Sequence, residues 1–173
     1  MLYTPQHIAN YFLDRAEEEG RTLDQLKLMK LVYIAYGWVL ALTGQRLFDE
    51  PIQAWQHGPV IRSLYDEFKH FRRQPIEGRA EEYDLETWDT TVPQVPASDG
   101  QTRLILDKVW AAYKRFSGWQ LRDKTHEADT PWSLVYRAGK RDQIIPDELI
   151  RPHFLAKIRS ILDAAAYTRT AAA

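Results

Sequence analysis

The stretch from Thr22 to Thr43, TLDQLKLMKLVYIAYGWVLALT, constrains the fold more than any other. Thr22 reads as an N-cap, and Gln25 three residues on completes a capping box. Asp24 places negative charge in the first turn, where the helix dipole favours it, and Gly44 stands just past the end as a C-cap glycine. Between these signals Leu26, Leu28, Met29, Leu31, Val32, Tyr33, Ile34, Tyr36, Trp38, Val39, Leu40 and Leu42 leave no broad polar face. A helix apolar all round is either central to a core or sits in a membrane. A span needs about 20 apolar residues, and Lys27 and Lys30 leave too short a charge-free run. The stretch therefore reads as the central helix of a soluble domain. One stripe differs: Lys27, Lys30, Ile34, Gly37 and Ala41 share a side at helical spacing. Two charges and two small residues suit a solvated edge beside a close helix crossing. The sharper alternative is contact with a partner through Lys27, Lys30 and Gly37.

The rest of the chain reads as shorter helices around that one. Thr4 and Pro5 form an N-cap and first-position pair, and Ile8, Tyr11, Phe12 and Ala16 supply an apolar face that ends at Gly20. This helix should pair with the central one as an αα-hairpin. His7, near its start, reads as a surface residue. Ile52 and Ala54 alternate with Gln53 and Trp55, which suits a short extended segment. Gly58-Pro59 then reads as a rigid junction, with a helix from Val60 to about Arg72. Residues 74–100 hold three prolines and many acidic groups. They read as a solvated acidic loop, with room for a short helix over Leu85 to Trp88. Leu106, Val109, Trp110, Tyr113 and Phe116 mark a helix from about Thr102, and Ser117 caps a short one through Leu121. Thr130-Pro131 starts another, closed by Gly139. Ile145-Pro146-Asp147-Glu148 starts the last, which Pro152 must kink or divide. The expectation is a mainly α, compact single-domain bundle of about six helices over residues 1–173, with a minor extended patch. The tail, about 165–173, is expected to fray; its apolar end resembles C-terminal tags that bacterial proteases read.

Composition narrows the function. The length suits one domain with a real core. A net charge of −1 gives no global footprint for nucleic acid. The absence of cysteine removes disulfides, zinc–thiolate sites and thiol nucleophiles. Six Trp and nine Tyr point to a bulky core or a partner surface. The amphipathic, acidic N-terminus does not read as a signal peptide, so a cytoplasmic location is expected. No phosphate loop, dinucleotide fingerprint, kinase motif or G-x-S-x-G elbow occurs. His7, His57, His70, His126 and His153 form neither H-x-x-x-H nor H-E-x-x-H, so no metal and no cofactor is expected. His126 with Glu127 and Asp129 is a remote acid/base candidate for a hydrolase. The plainer reading has His126 ordering a loop through hydrogen bonds.

Two separated motifs then stand out. Residues 27–68 hold a K-L-x-K-L-x-Y helix (Lys27 to Tyr33) that continues to Gly37-Trp38, followed by A-W-x-x-G-P-V (Ala54 to Val60). Residues 125–132, THEADTPW, add T-H followed by P-W, and IIPDELI comes later. Together they resemble the Panacea domain, the SocA-like antitoxin or phage-associated GepA-like family, from about Thr4 to Leu155. His57 departs from the residue expected there. The resemblance implies an antitoxin of a bacterial or phage toxin–antitoxin system that neutralises a toxin by direct protein–protein contact. The alternative it implies is an adaptor that delivers the toxin to a bacterial protease. Neither role is an enzyme activity. No helix-turn-helix signal accompanies the domain, so neither specific nucleic acid nor membrane is expected as a partner. Trp38, Trp55, Gly58, Pro59, Thr125, His126, Pro131 and Trp132 should then gather around the C-terminal end of the central helix. Trp38 and Trp132 would bury their rings, Gly58-Pro59 would fix the turn, and Trp55 and His57 would anchor the toxin.

Overall fold

The computed structural model describes residues 2–171. In chain order the elements are α1 (Pro5–Glu18), α2 (Gln25–Thr43), β1 (Ile52–Trp55), β2 (Gly58–Ile61), α3 (Arg62–Phe68), β3 (Glu82–Tyr83), β4 (Thr90–Thr91), α4 (Gly100–Tyr113), α5 (Gly118–His126), α6 (Pro131–Val135) and α7 (Asp147–Ala171), with a 3-10 turn over Lys69–Phe71. The fold is mainly α, with seven α-helices among the described residues rather than about six.

The apolar run folds as α2, and every residue from Leu28 to Ala41 is buried. α1, α4, α5, α7 and β2 all pack on it. Length does not exclude a membrane span here, because α2 is long and apolar enough for one. Its enclosure decides the matter, since 78% of that window is buried within the fold. The N-cap is Asp24 rather than Thr22: the Asp24 carboxylate accepts the Lys27 N–H at 2.7 Å. Gln25 is not free to close a capping box, because its amide donates to the Tyr65 carbonyl. Gly44 ends the helix at φ 71°, a conformation glycine adopts without steric cost.

The Lys27–Ala41 stripe is not a solvated edge. Lys27 Nζ donates to the Lys114 carbonyl at 2.7 Å, Lys30 is 0% exposed, and Gly37 faces the Phe154 ring of α7. A Cβ on Gly37 would lie 2.1 Å from that ring, so the glycine is what lets α7 cross so closely. The close crossing was legible; the exposure was not. Lys30 and Gly37 are enclosed by the chain itself and offer no surface to a partner.

Thr4 caps α1 as expected, but His7 takes part, with Nδ1 2.8 Å from the Thr4 hydroxyl. Gly58 and Pro59 do not open a helix. They belong to β2, which pairs antiparallel with β1 in the register Ile52↔Ile61 and Trp55↔Gly58, and α3 starts only at Arg62. Pro59 has no N–H for the ladder; Ala54 opposite it donates instead to the Gln143 carbonyl at 2.7 Å.

Leu85 to Trp88 form no helix; they lie in the turn between β3 and β4. α6 stops at Val135, short of Gly139. α7 runs unbroken through Pro152. The Glu148 carbonyl that loses its donor there belongs to an exposed residue, so water can satisfy it. Residues 165–171 are described as a continuation of this helix, consistent with the high helix propensity of alanine. Ala172 and Ala173 lie outside the described residues.

Candidate partner-binding site

The two motifs meet, but beside the N-terminal half of α2 rather than at its C-terminal end. Ser117 caps α5, and Gln120 completes a capping box with it. At the other end of α5, Thr125 donates to the Arg122 carbonyl at 2.7 Å. His126 bridges outward from there. Its Nδ1 lies 2.8 Å from the Arg122 carbonyl and its Nε2 3.0 Å from the Gln56 carbonyl in the β1–β2 turn. Neither Glu127 nor Asp129 hydrogen-bonds the ring, so the geometry is that of a loop-ordering histidine rather than an acid/base cluster. Thr130 caps α6 and also donates to the carbonyls of Thr125 and Glu127, which ties α6 back to α5. That places Trp132 with its ring centroid 3.6 Å from that of His126 and its indole N–H donating to the Trp55 carbonyl at 2.7 Å. Trp38 stands apart from this group, against Tyr113.

Lys30 sits beneath the same junction. Its Nζ donates to the Pro59 carbonyl at 2.9 Å. Burial, helped by the nearby Arg122 charge, pulls its pKa down to about 7. Gly58, at φ 106°, is required twice over. The conformation suits glycine, and a Cβ would come within 2.9 Å of Lys30 Cε and Nζ and of the Thr125 hydroxyl.

Above this buried knot is a cleft of about 530 Å³. Leu26, Met29, Trp55, Tyr65 and Trp119 supply apolar and aromatic walls, and His57, Arg72 and Arg73 supply polar and cationic ones. Trp55 is half-buried, its ring 4.8 Å from Tyr65 with the Arg62 guanidinium 5.7 Å away. It also lines a second depression of about 380 Å³ with Tyr136 and Lys140. His57 is exposed at the hairpin turn, edge-on to Trp119. Partial burial and the charges of Arg122 and Lys30 hold its pKa below the usual histidine value. Lys27 is half-buried, and desolvation lowers its pKa.

Of the expected contact residues, Trp55 and His57 therefore share one accessible cleft, while Lys30 lies under it without reaching solvent. Trp119, Tyr65, Arg72 and Arg73 were not foreseen. For Trp119 a signal existed: two places from the Ser117 cap, it falls off the face that carries Leu121. For Arg72 and Arg73 there was none, because the fold of the 3-10 turn after α3 decides where they point.

The sequence model described as "Antitoxin SocA-like, Panacea domain" matches residues 28–133, which carry α2, the β1–β2 hairpin and the His126–Trp132 junction. The chain belongs to that family. Antitoxin SocA of Caulobacter vibrioides is 28% identical to it over 128 residues, covering 74% of this chain and 68% of that protein. No solved structure gives a significant match. Residues 28–133 of this Panacea domain contain both partners of every hydrogen bond of the buried knot.

Proposed function

We propose that the protein is a non-enzymatic cytoplasmic antitoxin that neutralises a toxin encoded beside it by binding it directly, with the Trp55–His57–Trp119 cleft as a contact surface. Family membership together with the likeness to antitoxin SocA carries the reading. The cleft supports it, because partly exposed Trp55 and Trp119 beside Arg72 and Arg73 are the residue types enriched in protein–protein hot spots. Among the described residues no group of three or more His, Asp or Glu stands together as metal ligands.

Co-expression with the neighbouring gene product should restore growth, and the two proteins should co-purify. Rescue without a physical complex would sink the direct-binding mechanism in favour of an enzymatic antidote. Rescue that requires a host protease would replace steric neutralisation with delivery for degradation.

A further inference from the structure

Residues 74–100 carry the two most exposed large apolar side chains among the described residues. Leu85 and Trp88 are each 80% exposed, and Tyr83 is 71% exposed, with Val92 close behind them in sequence. Single exposed apolar residues are ordinary. Four within ten residues of one hairpin mark a patch of the kind that interaction sites show.

The patch is held out, not left loose. Asn10, fully buried on α1, accepts the Ala80 N–H at 2.8 Å and donates to the carbonyls of Ala80 and Pro93, each at 3.0 Å. One side chain thus clamps both legs of the hairpin. Arg79 adds ion pairs to Asp14 and Glu17. At the tip, the Asp84 carboxylate accepts the N–H groups of Glu86 and Thr87, and the Trp88 N–H donates to the Asp84 carbonyl.

Along this segment of the chain the charge has one sign. Glu81, Glu82, Asp84, Glu86 and Asp89 flank Tyr83, Leu85 and Trp88 in sequence, and no Lys or Arg occurs between Arg79 and Arg103. Phosphate backbones and anionic lipid surfaces are repelled by such a surface; a protein surface rich in Lys and Arg is attracted. We propose that the β3–β4 hairpin is a docking arm that seats Trp88 and Leu85 in an apolar recess bordered by Lys and Arg on the toxin. This rests on the antitoxin reading and adds the chemistry of the partner's surface.

The test measures binding of the full chain to the protein encoded beside it, by calorimetry and surface kinetics. Two variants are compared with wild type: Leu85→Ser with Trp88→Ser, and Glu81→Lys with Glu86→Lys. The first should weaken affinity about 30-fold or more, as loss of a hot-spot anchor does. The second should slow association and flatten its salt dependence. Both should melt with wild type, since every changed side chain is at the surface. Full affinity in both variants overturns the arm and leaves the antitoxin reading intact. No binding by wild type overturns both. A wild-type dimer in sedimentation that Trp88→Ser dissociates gives the hairpin to a second copy of this chain, which also overturns the assignment.

Discussion

Trp132 and Trp88 are the same side chain in opposite settings. Trp132 is buried, stacks with Tyr136, packs on His126 and donates its indole N–H to the Trp55 carbonyl. Trp88 is 80% exposed at the tip of a hairpin whose two legs are clamped by one buried asparagine. Around Trp132 the polar groups are turned on each other: carbonyls, hydroxyls, the His126 ring and the ammonium of Lys30, whose pKa burial pulls down. Beside Trp88 in the chain stand Asp84, Glu86 and Asp89, all exposed, with the Asp84 carboxylate fixing only the turn itself. Hydrogen bonds at the first place close the chain on itself. Those at the second only fix the base and turn of a hairpin whose Leu85 and Trp88 are left 80% exposed by the described residues. Aromatic content alone therefore does not distinguish scaffold from contact surface; the destination of the neighbouring polar groups does.

The sharpest way to break this contrast is to truncate both rings. Trp132→Ala should lose about 3–5 kcal/mol, seen as a melting point lower by roughly 10 °C or more. Trp88→Ala should stay within about 0.5 kcal/mol of wild type. Equal effects in thermal melts would erase the distinction. Asn10→Ala should come next. It leaves buried backbone groups at Ala80 and Pro93 without partners, at about 1–3 kcal/mol for each left unsatisfied. The loss should appear as faster amide exchange across residues 79–95 while the β1–β2 junction stays protected.

Gly37→Ala should lower stability by about 1–3 kcal/mol through overpacking against Phe154. Phe154→Leu should recover part of it in a double-mutant cycle; additive effects would mean that α7 shifts freely. The charge of Lys30 supplies a pH test. With its folded pKa near 7 and an unfolded value near 10.4, the unfolded chain holds the extra proton between those limits. Wild-type stability should therefore rise from pH 7 to 9, and Lys30→Met should flatten that rise in denaturant titrations at each pH. Trp55→Ala with His57→Ala should keep the fold, with a modest loss of stability, and weaken toxin binding. A double variant that melts well below wild type would move the cleft to the scaffold side of the comparison.

The central helix was legible because its periodicity is unambiguous: no side of it is polar, so it has to be surrounded. The caps at Ser117 and Thr130 were legible because each is a local bond between a side chain and a backbone N–H three residues on, and that at Thr4 because Pro5 follows it and His7 bonds back to it. Gly58-Pro59 was read as a helix junction because the pair carries the same local signal in a turn and in a strand. Only pairing with Ile52–Trp55 makes it β2.

By itself the sequence determined a helical domain around residues 25–43, the positions of most helix starts, and membership of a family whose two motifs are contiguous runs of residues. Local propensity, capping and hydrophobic period act over one or two turns of chain, and these features need no more. The tertiary structure decided that Lys30 is inside, that Gly37 touches Phe154, that Trp55 and Trp119 share a cleft, and that Trp88 stands 80% exposed. Each of those depends on what a segment far along the chain brings to the same place. A lysine on a helix reads the same from sequence whether water or the Pro59 carbonyl meets its ammonium.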